Sequence, residues 1–174
     1  MPLPENIRIT QLDLELNGGC NYKCEMCPQT IGREKDFLKK LPTSVLSKIL
    51  DDAIQYGVNS VSLHGSGEPT LNADMPDAVR EVKSRGLKCL SFTNGYRLDE
   101  RISRRLIEAG IDVLRVSAIG ADPEAYRRWM GLDVFDQVRD NVKRFGELNR
   151  EMGGHSEIHL YHLVTDVARE QEEV

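Results

Sequence analysis

The stretch GGCNYKCEMCP, residues 18–28, brings three of the chain's four cysteines close together. Cys20, Cys24 and Cys27 follow the spacing C-x3-C-x2-C, one thiolate short of the four protein ligands of a structural zinc site. Thiolates suit both zinc and iron–sulfur clusters, so two interpretations stay open: a catalytic zinc with three cysteines, or a cubane cluster with one iron left for an exogenous chelate. Cys89 stands alone, which is more typical of a small buried residue than of a ligand.

The composition around this stretch is that of an ordinary globular protein. The chain has 174 residues, enough for one core, and its formal net charge of -5 gives no basic footprint for nucleic acid. No apolar run could span a bilayer, and the N-terminal MPLPENIRIT lacks the regions of a signal peptide. We therefore expect a cytoplasmic protein, where clustered cysteines bind metal or do redox chemistry more often than they form disulfides.

Strand patterns alternate with helix patterns along the chain, which predicts parallel βαβ units. The predicted strands are 11–17, 58–64, 87–93, 111–118 and 157–164, and the predicted helices are 43–56, 74–85, 99–109, a stretch from Asp122 that breaks near 131–133, and the start of another after the last strand. Thr43 and Asp99 are candidate helix caps. Glycines at 57, 86 and 110 are candidate helix stops.

Each predicted strand alternates apolar and polar side chains instead of being apolar throughout. In the third strand we assign Leu90 and Phe92 to the apolar face, and Cys89, Ser91 and Thr93 to the polar face. The apolar face suits a layer of helices, whereas the polar face would be costly to bury without water. The pattern favours a partial TIM-type (β/α) barrel with a wet cavity over an open doubly wound sheet or a sheet with one solvent-exposed face.

Three further stretches follow the later strands in order. Ser66-Gly67-Glu68-Pro69 follows the second, Thr93-Asn94-Gly95 ends the third, and Val116-Ser117 with 120–123 (GADP) follows the fourth. Together with the cysteine triplet, this series resembles the radical S-adenosylmethionine (SAM) enzyme family, in its SPASM and peptide-modifying branch, over residues 9–166. The resemblance implies that residues 1–174 are a core domain with five of the usual six βα units. We therefore expect that its C-terminal part is missing or is supplied by another chain.

The resemblance also implies the chemistry. Cys20, Cys24 and Cys27 would hold a [4Fe-4S] cluster, and SAM would chelate the open iron. An electron from a donor such as flavodoxin or ferredoxin would cleave SAM to a 5′-deoxyadenosyl radical, which abstracts hydrogen from an unidentified peptide, protein side chain or sugar. The residues implied to contact SAM are Met26, Ser66, Gly67, Glu68, Thr93, Asn94, Arg115 and Ser117.

Several roles stay open on the residues alone. Arg115 could instead pair with Asp13 or Glu15, because a buried guanidinium needs an anion. Glu68 could be a solvated loop carboxylate, and Asn94 could serve only a turn. The candidates to touch the substrate are the polar strand residues Glu15, His64, His159 and Tyr161, which could alternatively bond to one another and to water.

The segment Ser117-Ala118-Ile119-Gly120 departs from the resemblance, because related proteins often read Ser-Ile-Asp-Gly there. The missing carboxylate and the short length keep a second hypothesis open, a degenerate cluster- or SAM-binding protein with an assembly role. A zinc protein without radical chemistry is the third hypothesis.

Overall fold

The structure is a computed structural model that describes residues 8–28, 40–120 and 122–163. Its elements are β1 (Gln11–Asp13), α1 (Thr43–Gln55), β2 (Ser60–Ser62), α2 (Met75–Lys83), β3 (Lys88–Thr93), α3 (Glu100–Ala109), β4 (Val113–Ser117), α4 (Pro123–Met130), α5 (Phe135–Glu151) and β5 (Glu157–Tyr161). The helix predicted after the last strand lies outside the described residues. Within the described ranges, no helix combines the length and the apolar character needed to cross a membrane.

The five strands form one parallel sheet in the order β1-β2-β3-β4-β5. Each strand pairs with the next one in the chain, so every crossover moves in the same direction across the sheet. Because such crossovers are right-handed, the helices lie on one face, where consecutive helices pack against each other. This topology has no switch point, and it confirms the prediction of a partial α/β barrel over a doubly wound sheet.

The helix ends follow the local sequence, with one exception. The Asp99 carboxylate accepts a hydrogen bond from Ile102 N at 2.9 Å and begins α3, which ends at Gly110 with φ 82°. The prediction that Thr43 caps α1 was wrong. The carbonyl of Pro42 already accepts from the amides of residues 45 and 46, so the helix begins one residue earlier and Thr43 lies inside it.

The core lies between the sheet and the helix layer. The strand residues Val61, Cys89 and Leu114 are 0 % exposed. They belong to one apolar cluster with Leu50, Val79 and Leu106 from α1, α2 and α3. The lone cysteine is therefore a core residue, as predicted.

The face assignment of β3 was wrong. The register pairs Val61 with Cys89 and Ser62 with Leu90, and parallel partners share a face. Cys89 therefore points to the helices, while Leu90 and Phe92 point to the opposite, concave face, which we call the lumen. Ser91 is tolerated on the helix side because its hydroxyl donates to Leu63 O at 2.6 Å.

Candidate cofactor and substrate cleft

A cleft of about 200 Å³ opens at the carboxyl ends of the strands. Parallel α/β barrels place their sites at this end of the sheet. Of the sequence-predicted residues, the cleft collects Cys20, Cys24, Met26, Cys27, His64, Gly67, Glu68, Thr93, Asn94 and Ser117. It is also lined by five residues that the sequence analysis gave no role there, Tyr22, Gly65, Phe92, Ile119 and Met130.

The cysteines fall into two environments. Cys20, Cys24 and Cys27 are partly exposed at the cleft, whereas burial in the core raises the pKa of Cys89 to about 12. Two N–H donors point at the Cys20 sulfur: the backbone N of Tyr22 at 3.4 Å and Asn94 Nδ2 at 4.0 Å. Donors of this kind stabilise a thiolate ligand, so the cleft cysteines suit a thiolate-bound group and Cys89 does not.

The three cleft cysteines are compatible with a cluster. Among the residues that the structure describes, no three His, Cys, Asp or Glu side chains are grouped so that they could hold one metal ion. The thiolates of a cubane cluster do not need to meet at one point, because each binds a different iron. The three thiols, accessible from one cleft, therefore fit a [4Fe-4S] cluster.

Glu68 joins the loops around the cleft. Its Oε1 accepts hydrogen bonds from Thr70 N at 3.0 Å, Thr70 Oγ1 at 2.6 Å and Thr93 Oγ1 at 2.7 Å. Its Oε2 accepts from Asn94 N at 2.7 Å. The residue is only 3 % exposed, which rules out a solvated loop carboxylate. Burial raises the pKa of Glu68 above its ordinary value, and these hydrogen bonds oppose the shift. We call Glu68 and these partners the Glu68 junction.

The loop that carries Glu68 also lies directly against the cysteine loop. Glu68 N donates to Gly19 O at 2.8 Å, and Asn17 Nδ2 donates to Gly19 O at 2.8 Å and to Glu68 O at 3.2 Å. A Cβ placed at Gly67 would come within 1.8 Å of Asn17 O. Only glycine permits this approach, which fixes the two loops at one separation.

Helix α4 holds the cysteine loop from the other side. The hydroxyls of Tyr22 and Tyr126 lie 2.9 Å apart in the interior, and Glu25 N donates to Trp129 O at 3.0 Å. Burial raises the pKa of Tyr126 to about 12. The Cys24 sulfur lies 3.7 Å from Met130 O and 3.9 Å from its thioether. The sequence signalled the start of this helix but gave no signal of which loop it would meet.

Five predicted residues do not line the cleft. Ser66 and Glu15 bond to each other instead, since the Glu15 carboxylate accepts from Ser66 N at 2.9 Å and from Gly67 N at 3.0 Å. His159 is paired with Glu157 at 3.0 Å. Arg115 lies one step deeper on the lumen face, level with Phe92 and His159, whereas Tyr161 ends β5 level with Ser117 and is exposed. Neither pairing proposed for Arg115, with Asp13 or with Glu15, is formed in the structure.

The amide of Asn21 shares the buried space beside the cysteine loop. Its Oδ1 accepts from Asn94 Nδ2 at 2.9 Å, while its own buried Nδ2 has no acceptor among the described residues. The sequence analysis gave this residue no role. It follows Cys20 directly, which was the available signal.

Fold and cleft together define a partial parallel α/β barrel with a cysteine-lined site at its carboxyl mouth. The model of the Radical SAM superfamily matches residues 14–171. The chain belongs to the radical SAM superfamily, whose enzymes use a [4Fe-4S] cluster and SAM.

Sequence relatives carry the name probable GTP 3′,8-cyclase. One from Methanococcus maripaludis strain C7 is 28% identical over 136 residues, covering 78% of this chain and 45% of the relative. One from Saccharolobus islandicus is 35% identical over 142 residues, covering 80% of this chain and 42% of the relative. The chain thus spans less than half the length of these curated relatives.

Solved structures share the fold. Streptococcus suis SuiB bound to its precursor peptide SuiA superposes with a TM-score of 0.77 at 21% identity, over 95% of this chain and 35% of SuiB. BtrN in complex with AdoMet and 2-DOIA superposes with a TM-score of 0.65 at 19% identity, over 91% of this chain and 58% of BtrN. At these identities the likeness concerns the barrel.

Proposed function

We propose that this chain provides the core of a radical SAM enzyme that cleaves SAM reductively and acts on a substrate in the barrel lumen. The observation that carries the proposal is the meeting of Cys20, Cys24 and Cys27 with the Glu68 junction at the carboxyl mouth of the sheet. Membership of the superfamily supports it, because thiolates in this setting hold the cluster.

Cys20, Cys24 and Cys27 would hold the cluster. When bound, the cluster and SAM supply a 5′-deoxyadenosyl radical that can take hydrogen from a substrate C–H bond. The Met26 thioether and the Ile119 side chain offer soft, apolar surface for an adenine ring.

Ser117 offers a hydroxyl to SAM at the other side of the cleft. The carboxylate of Glu68 accepts four hydrogen bonds from protein donors, so we assign it a positioning role. It sets the places of the loop containing Gly67 and of Asn94, which face the ligand.

The substrate classes stay proposals. A peptide or a sugar follows from the SPASM-like motifs, and the names of the curated relatives add a nucleotide, since GTP 3′,8-cyclases are named for GTP. His64 at the cleft and Tyr161 in the lumen are the proposed contacts. A one-electron donor such as flavodoxin or ferredoxin is the proposed redox partner.

Anaerobic reconstitution with iron and sulfide tests the cluster. The protein should turn brown and bind about four irons per chain. Cys24→Ala should abolish this, and Cys89→Ala, which removes a thiol from the core only, should retain it. A colourless product with one zinc per chain would contradict the proposal and favour the zinc protein.

Cleavage is tested on the brown protein with dithionite and SAM, with 5′-deoxyadenosine measured by mass spectrometry. We expect 5′-deoxyadenosine in the wild type and none in Cys24→Ala. A full cluster that yields none would instead favour the non-catalytic binding protein, for which the apolar Ile119 at the cleft is the structural argument.

A further inference from the structure

Arg115 occupies the middle of the lumen face. The register places it level with Phe92 on β3 and His159 on β5, so the three side chains share this face. The guanidinium carbon lies 5.2 Å from the centre of the Phe92 ring and 5.5 Å from the centre of the Tyr161 ring. Both distances are those of cation–π contacts.

The two rings also touch each other. Their centres are 5.1 Å apart with an interplanar angle of 70°, although their strands are separated by β4. The guanidinium therefore packs beside this touching ring pair, which restricts its orientation before any ligand arrives. A fixed guanidinium loses less conformational entropy when it forms hydrogen bonds.

The charge of Arg115 stands apart from every acid that the structure describes. Among the described residues, no carboxylate lies within ion-pair distance of it, and its buried Nε has no hydrogen-bond acceptor. The nearest lumen-face acid along β5, Glu157, is bonded to His159. Arg85 shows the usual arrangement, with Asp51 and Glu81 each at 2.7 Å.

A buried N–H donor without an acceptor is unfavourable, so an oxyanion that supplies the acceptor gains free energy on binding. The planar fork of arginine matches a carboxylate or a phosphate through two parallel hydrogen bonds.

The Arg115 pocket, formed by Arg115, Phe92 and Tyr161, adjoins the cofactor cleft. Phe92 lines both, and its ring centre lies 4.9 Å from that of His64 at the cleft. Arg115 itself does not line the cleft, whereas Ser117, two residues along the same strand, does. A ligand held at Arg115 would therefore lie beside the cleft and leave the cleft to SAM.

We propose that the Arg115 pocket binds an oxyanion of the substrate, a carboxylate or a phosphate, and does not bind SAM. That the anion belongs to a substrate rests on the proposed function. That the pocket binds an anion rests on the geometry of Arg115, Phe92 and Tyr161.

Side-chain NMR of the full metal-free chain tests the anion site directly, through the Nε–H signal of Arg115. Methyl phosphate and acetate are titrated separately at constant ionic strength to about 50 mM, enough to saturate a site with a Kd of about 1 mM. We expect a saturable shift of this signal with at least one of them. The stronger probe identifies a phosphate or a carboxylate. No saturable shift with either, or an equal shift with chloride, overturns the proposal.

Variants locate the binding energy, with the Tyr161 ring signals as the common readout. Arg115→Lys keeps the charge but loses the fork, so it should bind about tenfold more weakly. Arg139→Gln, which removes an exposed arginine paired with Asp136 and Asp140, should bind as the wild type does. Equal weakening in Arg139→Gln would mean that net charge alone attracts the anion, and would overturn the pocket.

SAM binding separates the pocket from the cofactor site. In calorimetry on the reconstituted protein, Arg115→Met should change the Kd of SAM less than about twofold. A loss of about tenfold would assign Arg115 to the SAM carboxylate and overturn the proposal. If the chain fails to form a cluster, the proposed function fails, while the NMR result on the metal-free chain still decides whether Arg115 binds an oxyanion.

Discussion

The Glu68 junction and the Arg115 pocket each hold a charged group inside the protein, and they treat it in opposite ways. Glu68 is 3 % exposed and its carboxylate receives hydrogen bonds from Thr70, Thr93 and Asn94. Arg115 packs against two aromatic rings that also touch each other, with a buried Nε that has no acceptor among the described residues. A charged group bonded to several protein donors, as Glu68 is, fixes the loops around the cleft. A charged group without a protein counter-charge, as Arg115 is among the described residues, is available to a ligand. The comparison can be tested at four places.

Removing the carboxylate of Glu68 should have the largest effect. Glu68→Ala leaves the donors of Thr70, Thr93 and Asn94 without an acceptor, and each unsatisfied buried donor costs about 1–3 kcal/mol. We expect the free energy of unfolding to fall by about 4 kcal/mol, measured by urea denaturation. Glu15→Ala is the control, because its exposed carboxylate caps only Ser66 and Gly67 and should cost about 1 kcal/mol. Equal losses of stability in the two variants would mean that the Glu68 junction does not stabilise the loops around the cleft.

Gly67→Ala should have the next largest effect. The new Cβ would fall 1.8 Å from Asn17 O, so the loop that carries Glu68 must move away from the cysteine loop. We expect a loss of about 3 kcal/mol in the same urea assay. The control is Gly57→Ala: Gly57 has φ 86° but open space, so the backbone strain alone should cost about 1 kcal/mol. A Gly67→Ala loss no larger than that of Gly57→Ala would show that the two loops are free to separate.

The tyrosine pair beside the cysteine loop should give a smaller effect and a clear coupling. Tyr22→Phe and Tyr126→Phe each leave one buried hydroxyl without its partner at 2.9 Å, at a cost of about 1.5 kcal/mol. The double variant should cost about the same as either single variant, because it leaves no unpaired hydroxyl. A double-mutant cycle in urea measures the coupling. Additive losses would mean that the hydroxyls act independently and that α4 holds the loop by other contacts.

The features that could be predicted from sequence are those set by neighbouring residues. The helix cap at Asp99, the stop at Gly110 and the grouping of three cysteines apart from Cys89 follow from neighbouring residues, and the structure confirms them. Which face of β3 packs against the helices could not be predicted in this way. Cys89 is itself apolar, so both sets of alternate residues include apolar side chains, and only the pairing of Val61 with Cys89 decides which set meets the helices.

The site was predictable as a list of residues but not as a set of contacts. The direction of the Glu68 carboxylate depends on Thr93 and Asn94, 25 and 26 positions away in sequence. The contact between Tyr22 and Tyr126 spans 104 positions. No local sequence pattern predicts contacts between residues so far apart in the chain. This also explains why the alternative pairing of Arg115 with Asp13 or Glu15 could not be judged from sequence: the fold packs the guanidinium against Phe92 and Tyr161.

Arg115→Met should have the smallest effect on stability. The variant keeps bulk beside Phe92 and Tyr161 and loses the cation–π contacts, worth about 0.5–2 kcal/mol, but it also removes a half-buried charge that has no anion among the described residues. These terms oppose each other, so we expect the free energy of unfolding to change by less than about 1 kcal/mol in urea, in either direction. A loss as large as that of Glu68→Ala would show that Arg115 stabilises the frame. In that case Arg115 would be part of the folded core, and the distinction between Glu68 and Arg115 would fail.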